Sequence, residues 1–100
     1  MDEKEFIKEL KEDKTIAPMI ENNMIDGYKI RIVYRGEGLF YHDTVNKKAF
    51  ICNIQITTGV IFIKTINRWD DRTEIINKEQ IIRRIQNYFL LFQKIQPIFK

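Results

Sequence analysis

Two aspartates stand side by side at Asp70 and Asp71 in the stretch TINRWDDRTEII (65–76), with Arg72 and Glu74 close behind. Paired carboxylates can divide the roles of acid and base when their surroundings push their pKa values apart, or can share a metal ion. Adjacent loop residues point apart, however, and neither a phosphate-binding glycine loop nor a third ligand at fixed spacing accompanies the pair. Turn chemistry is therefore the expectation. His42 beside Asp43 raises the idea of a proton relay, but successive strand residues face opposite sides and no Ser or Cys nucleophile is signalled nearby. His42 reads as a surface or hydrogen-bonded structural residue. Gly36 and Gly38 form only GxG, without the remaining glycine of a dinucleotide fingerprint or a following helix, and so mark a hairpin. Cys52, the only cysteine, lies among Phe50, Ile54 and Ile56. An inert buried thiol is expected there, and no Cys or His pair has metal-ligand spacing. These residues predict no catalytic centre, no cofactor and no metal site.

Binding is the alternative to chemistry, and the distribution of charge bears on it. Residues 1–26 carry eight acidic and four basic side chains, residues 27–100 six acidic and thirteen basic, for a net charge of +3. Arg83, Asn87, Leu90 and Lys94 share one face of a C-terminal helical pattern, opposite its apolar stripe. A solvated face is the plain reading, since exposed helix faces are normally charged. Leu90, apolar and flanked by Arg and Lys, turns that face toward a protein partner, whereas phosphates of a nucleic acid would use the charges alone. Arg31 and Arg35 interleave with Tyr28 and Tyr34 as on base-stacking platforms, yet their alternation sends rings and charges to opposite faces. Candidate partner contacts are thus Arg83, Asn87, Leu90, Lys94, Arg31 and Arg35, with a protein preferred to nucleic acid.

One hundred residues, 44% hydrophobic and 31% charged, suit one folded domain (1–100) with a single core. No apolar run reaches the ~20 residues that span a bilayer. The N-terminus lacks the charged and apolar regions of a leader, so the chain as given reads as cytosolic. Residues 2–13 predict a short helix with Phe6, Ile7 and Leu10 on a narrow stripe, docked at the periphery (1–14) with mobile first turns. The segment TIAPMIENNMIDG allows either a second helical turn starting at Pro18 or an extended connection. Four strand signals follow: 28–35, 39–45, 49–56 and a nearly continuous apolar run at 60–66 that suits a central strand. The turns fall at 36–38 and 57–59. Asn77 and Gln80 have capping-box spacing, and Ile81, Ile82, Ile85, Tyr88, Phe89, Phe92 and Ile95 form the stripe of a final helix stopped by Pro97. The fold class is α+β: a four-stranded antiparallel meander packed against a C-terminal helix, with a short N-terminal helix. Trp69 and Asp70 then form a structural joint, the indole folding back under that helix with its N–H on a loop carbonyl.

From VIFIKTINRWDDRTEIINKEQIIRRIQNYF onward, the chain resembles a group of small bacterial immunity proteins that neutralise toxins of polymorphic or contact-dependent systems. The likeness rests on an apolar strand ending in Ile66, then Arg68-Trp69-Asp70, a polar connection, Ile75, and a helix starting near Lys78-Glu79 with Ile81, Ile82 and Ile85. It covers about the last third of the chain. Its connection, DDRTE, lacks the proline of that pattern, and the acidic N-terminal extension is additional. The resemblance implies a non-enzymatic protein that binds a cognate toxin and blocks its active site or substrate access. Many such toxins are nucleases with basic clefts, which an acidic surface such as that near Glu9, Glu12 and Asp13 could fill, although the net charge of +3 does not indicate a strongly acidic substrate mimic. A small nucleic-acid-binding or regulatory module using the basic helix face is the alternative.

Overall fold

Alternating apolar residues drive the centre of the chain into strands, and the computed structural model, which describes residues 2–100, orders them in one sheet. The elements are α1 (Glu3–Glu12), β1 (Glu21–Asn23), β2 (Tyr28–Val33), β3 (Gly38–Asp43), β4 (Lys48–Gln55), β5 (Val60–Ile61), α2 (Lys78–Tyr88) and β6 (Ile98–Phe99). The strands lie in the order β1-β2-β3-β4-β5-β6. Every neighbouring pair is antiparallel except β5 and β6, which run parallel. The expected α+β class holds, but the four-stranded antiparallel meander is corrected to a curled, mixed sheet of six strands.

Local chemistry accounts for the differences. The segment with Pro18 takes neither expected course throughout: a single turn at Pro18 and Met19, closed by Ile20 N–H donating to Ala17 C=O at 3.0 Å, leads into β1, an edge strand. β3 stops at Asp43 rather than Val45, because the Asp43 carboxylate accepts from the N–H groups of Val45 and Asn46 and closes a turn. The run at 60–66 does not form a central strand. After Ile61 the Thr65 hydroxyl donates to Phe62 C=O and accepts from Asn53 N–H, folding residues 63–65 into a 3₁₀ turn. Tyr34 leaves the strand alternation too: it and Arg35 adopt positive φ, 53° and 56°. Its ring consequently lies against Phe6 of α1, with centroids 5.3 Å apart, on the sheet face opposite Tyr28.

α2 covers one face of the sheet. Ile81, Ile85, Tyr88 and Phe89 are fully buried against Ile30, Leu39, Tyr41, Cys52 and their neighbours, a burial that contributes roughly 1.5–3 kcal/mol per side chain before entropy. The anticipated capping box does not form. Asn77 has φ −99° and ψ 43°, which is not the extended geometry of an N-cap, and its amide donates instead to the Gln80 side chain at 3.1 Å. The helix also ends before Pro97: a π-helical turn at Phe89–Gln93 widens it, and Lys94 terminates it in the left-handed conformation. Pro97 then precedes β6. On the other face, Ile7 and Leu10 of α1 pack with Val33, Phe40 and Ala49, so both faces of the sheet are covered.

Candidate partner-binding surface

The 65–76 stretch is a joint, made differently from the expected one. Trp69 is buried in the core beneath α2, its ring 5.6 Å from Phe50 and 6.1 Å from Tyr41. Among the described residues its indole N–H has no hydrogen-bond partner, which corrects the predicted loop carbonyl. Asp70 does not turn the chain outward. Its N–H donates to Ala49 C=O (2.8 Å) and its carboxylate accepts from Ala49 N–H (3.0 Å), so it stands beside β4 in place of a strand residue. The second carboxylate oxygen takes Lys11 of α1, whose ammonium also donates to Lys47 C=O. Asp70 thereby ties α1, β4 and the loop before α2 together. Asp71 does face outward; Thr73 hydrogen bonds within the turn hold its carboxyl below the usual range.

The other candidates for chemistry are absorbed by the fold. His42 is buried beneath α1 beside the Phe40 ring, correcting the surface placement, and its imidazole forms no hydrogen bond among the described residues. Burial lowers its pKa, and the charges of Lys11 and Lys29 lower it further. Cys52 is fully buried as expected, and burial pushes its thiol up to about 12. Gly36 sits in the β2–β3 turn at φ 96°, where a Cβ would strike Ile56.

A row of rings crosses the sheet beneath α2. Tyr28 stacks near Tyr41 (5.8 Å), Tyr41 on Phe50 (5.4 Å), and Phe50 meets Trp69. Arg84 reaches down from α2 to this row: its guanidinium donates to Tyr41 Oη at 2.8 Å and lies 4.4 Å from the centre of the Tyr28 ring. Tyr28 Oη donates to Glu21 of β1 at 2.8 Å. Burial and that carboxylate push Tyr28 up to about 12. The other Glu21 oxygen is buried without a partner among the described residues, and burial raises the Glu21 pKa. An incompletely satisfied carboxylate thus stands on the outermost strand.

Beside it the surface is apolar. Glu21, Asn22, Asn23, Met24, Ile25 and Phe92 line an open groove of about 510 Å³. Met24 is 85% exposed, Ile25 97% and Ile16 86%; Met19 is exposed as well. β1 pairs with β2 through Glu21 and Asn23, which leaves the main chain of Asn22 facing outward on the free edge of the sheet. An unpaired edge next to exposed Met and Ile is a surface that natural folds normally cover.

The six contact residues named from sequence do not form one surface. Arg83, Asn87, Leu90 and Lys94 are exposed on α2 and the turn after it, and Leu91 extends their apolar part. Arg31 lies on the opposite sheet face, half-buried and bonded to Asp13 at 3.0 Å. Arg35 is exposed at the β2–β3 turn. Met24 and Ile25 were missed, although a signal existed: two large apolar residues at the centre of the polar turn NNMIDG fit neither helical nor strand periodicity. No family model, curated protein or solved structure matches this chain.

Proposed function

We propose that this chain is a non-enzymatic binding protein that neutralises a bacterial toxin by occupying it, in the manner of the small immunity proteins that its C-terminal third resembles. The observation that carries the reading is the exposure of Met24 and Ile25 beside the free edge of β1. Apolar anchors at a strand edge suit docking of a partner protein, with main-chain pairing at Asn22 supplying affinity and Met24 adapting to the opposing surface. The partner's contact region is basic in this reading. Residues 1–26 carry the chain's excess of acid, eight acidic side chains against four basic, and a basic patch on the partner complements it.

The nucleic-acid alternative draws less support. It relies on Arg83, Arg84 and Lys94, of which Arg84 is committed to Tyr41 and Tyr28, and Leu90 and Leu91 interrupt the rest. Co-expression with a candidate toxin from the same genome is the test. Wild-type protein is expected to restore growth and to form a stable complex, and a Met24→Asp/Ile25→Asp variant to bind on the order of 100-fold more weakly while melting normally. Failure of the wild type to protect, or salt-dependent retention on RNA or DNA without toxin binding, would discard the proposal.

A further inference from the structure

On the side of β4 away from β3, one residue is left without a neighbour. The β3–β4 register sends the main-chain groups of Ala49, Ile51 and Asn53 to that side. Asp70 satisfies Ala49, and Phe62 N–H and the Thr65 hydroxyl satisfy Asn53. Between them, the N–H and C=O of Ile51 have no hydrogen-bond partner among the described residues. A gap closed at both ends admits no strand, so whatever meets Ile51 is compact. Beside it lies a cavity of about 320 Å³, lined by Ile51 together with Lys4 of α1 and Arg68 and Arg72 of the loop before α2. Glu3 and Asp70 line it as well. Lys11 already neutralises Asp70, so three cations face one further carboxylate, an excess of two positive charges.

We propose that this cavity binds inorganic phosphate, held as the hydrogen phosphate dianion. Its charge matches the excess, and Arg68, Arg72 and Lys4 donate to its oxygens. Ile51 narrows the choice of anion. Its N–H requires an acceptor and its C=O, alongside, requires a donor. Hydrogen phosphate carries both on neighbouring oxygens, whereas sulfate at neutral pH offers acceptors only. The chain itself meets the same pair of groups at Ala49 with the same chemistry, one N–H donor and one carboxylate oxygen from Asp70. A bound ion touches α1 through Lys4, β4 through Ile51 and the loop before α2 through both arginines, so it fastens the N-terminal helix to the sheet. The site depends neither on the groove at β1 nor on the toxin reading.

Trp69, the only tryptophan, lines the cavity and reports on it directly. The probe is inorganic phosphate near neutral pH and at constant ionic strength, compared with sulfate and with methyl phosphate. Phosphate is expected to shift Trp69 fluorescence and the Ile51 amide resonance saturably, and to slow hydrogen exchange along α1. Sulfate, lacking the donor, should bind at least about fivefold more weakly. Methyl phosphate should be weakened likewise, since a phosphate ester with its second pKa at about 6 has lost its O–H under these conditions. Arg72→Gly should weaken phosphate about tenfold. Its melting temperature should not fall, because glycine accepts the φ of 71° that Arg72 adopts. Shifts that do not saturate, no response at Ile51, equal affinity for phosphate and either comparison ion, or wild-type affinity in Arg72→Gly would overturn the proposal.

Discussion

The two helices cover opposite faces of one sheet and are held there by different chemistry. α2 is anchored by four fully buried apolar or aromatic side chains inside the main core. α1 contributes Ile7 and Leu10 to a smaller cluster, and polar contacts complete its attachment. Lys11 reaches Asp70 and Lys47 C=O. Just beyond the helix, Asp13 receives Arg31 on its carboxylate and Lys29 on its carbonyl, the latter at 2.8 Å. Apolar burial does not titrate with pH and is not screened by salt, whereas charged contacts are subject to both. The α2 layer therefore carries the global stability, and α1 opens by a local, condition-dependent equilibrium.

The sharpest way to break this contrast is to empty each layer in turn. Phe89→Ala or Ile85→Ala should cost about 3–5 and 2–5 kcal/mol respectively in urea unfolding, and Leu10→Ala should fall at or below the low end of that range. Equal losses in the two layers would remove the distinction. Asp70→Asn comes next, at about 1–3 kcal/mol, because it leaves Lys11 facing a neutral amide. Hydrogen exchange should then accelerate at Ala49 and along α1 while α2 stays protected.

The same contrast extends to pH. Tyr28, beneath α2, ionises at about 12 in the fold against 10.0 ordinarily, so the stability it contributes is complete below pH 10 and is lost as pH rises toward 12. Asp13, at the end of α1, behaves oppositely. Hydrogen bonds from Thr15 and then Arg31 lower it from 3.8 to about 2, so its contribution is present above pH 3.8 and is lost as pH falls through about 2. Tyrosinate absorbance and carboxyl NMR titrations should show the α2 layer failing in base and the α1 attachment loosening in acid. The smallest effect is expected at the β2–β3 turn. Arg35→Gly should stabilise by up to about 1 kcal/mol in thermal melting, as glycine accepts the positive φ that Arg35 adopts.

What could be read in advance follows the same division. Ile81, Ile85, Tyr88 and Phe89 announced α2 through period, and β2 and β4 announced themselves through alternation, because burial imposes those spacings directly. β1 and β6 did not, being strands of three and two residues whose placement depends on the edges they find rather than on their own pattern. The end of the run at 60–66 turned on one hydroxyl, Thr65, choosing between main-chain partners. Asp70 and Trp69 were recognisable as structural. The partners of Asp70, Lys11 and Ala49, lie far along the chain and leave no local trace. The β1 groove was hidden likewise, since it combines Met24 and Ile25 with Phe92 from the opposite end of the sequence.

Cys52 gives the fold a clock of its own. Its thiol, on β4, sits fully buried in the core beneath α2 and ionises only at about 12. Alkylation at neutral pH must therefore wait for the core between the sheet and α2 to open, since only the exposed thiolate reacts. With α1 detached but the sheet intact, the thiol would remain silent, because it faces the α2 side of the core. The rate of its modification thus counts openings of the central layer alone, and a bound partner that clamps that layer would be seen as a slowing of the count.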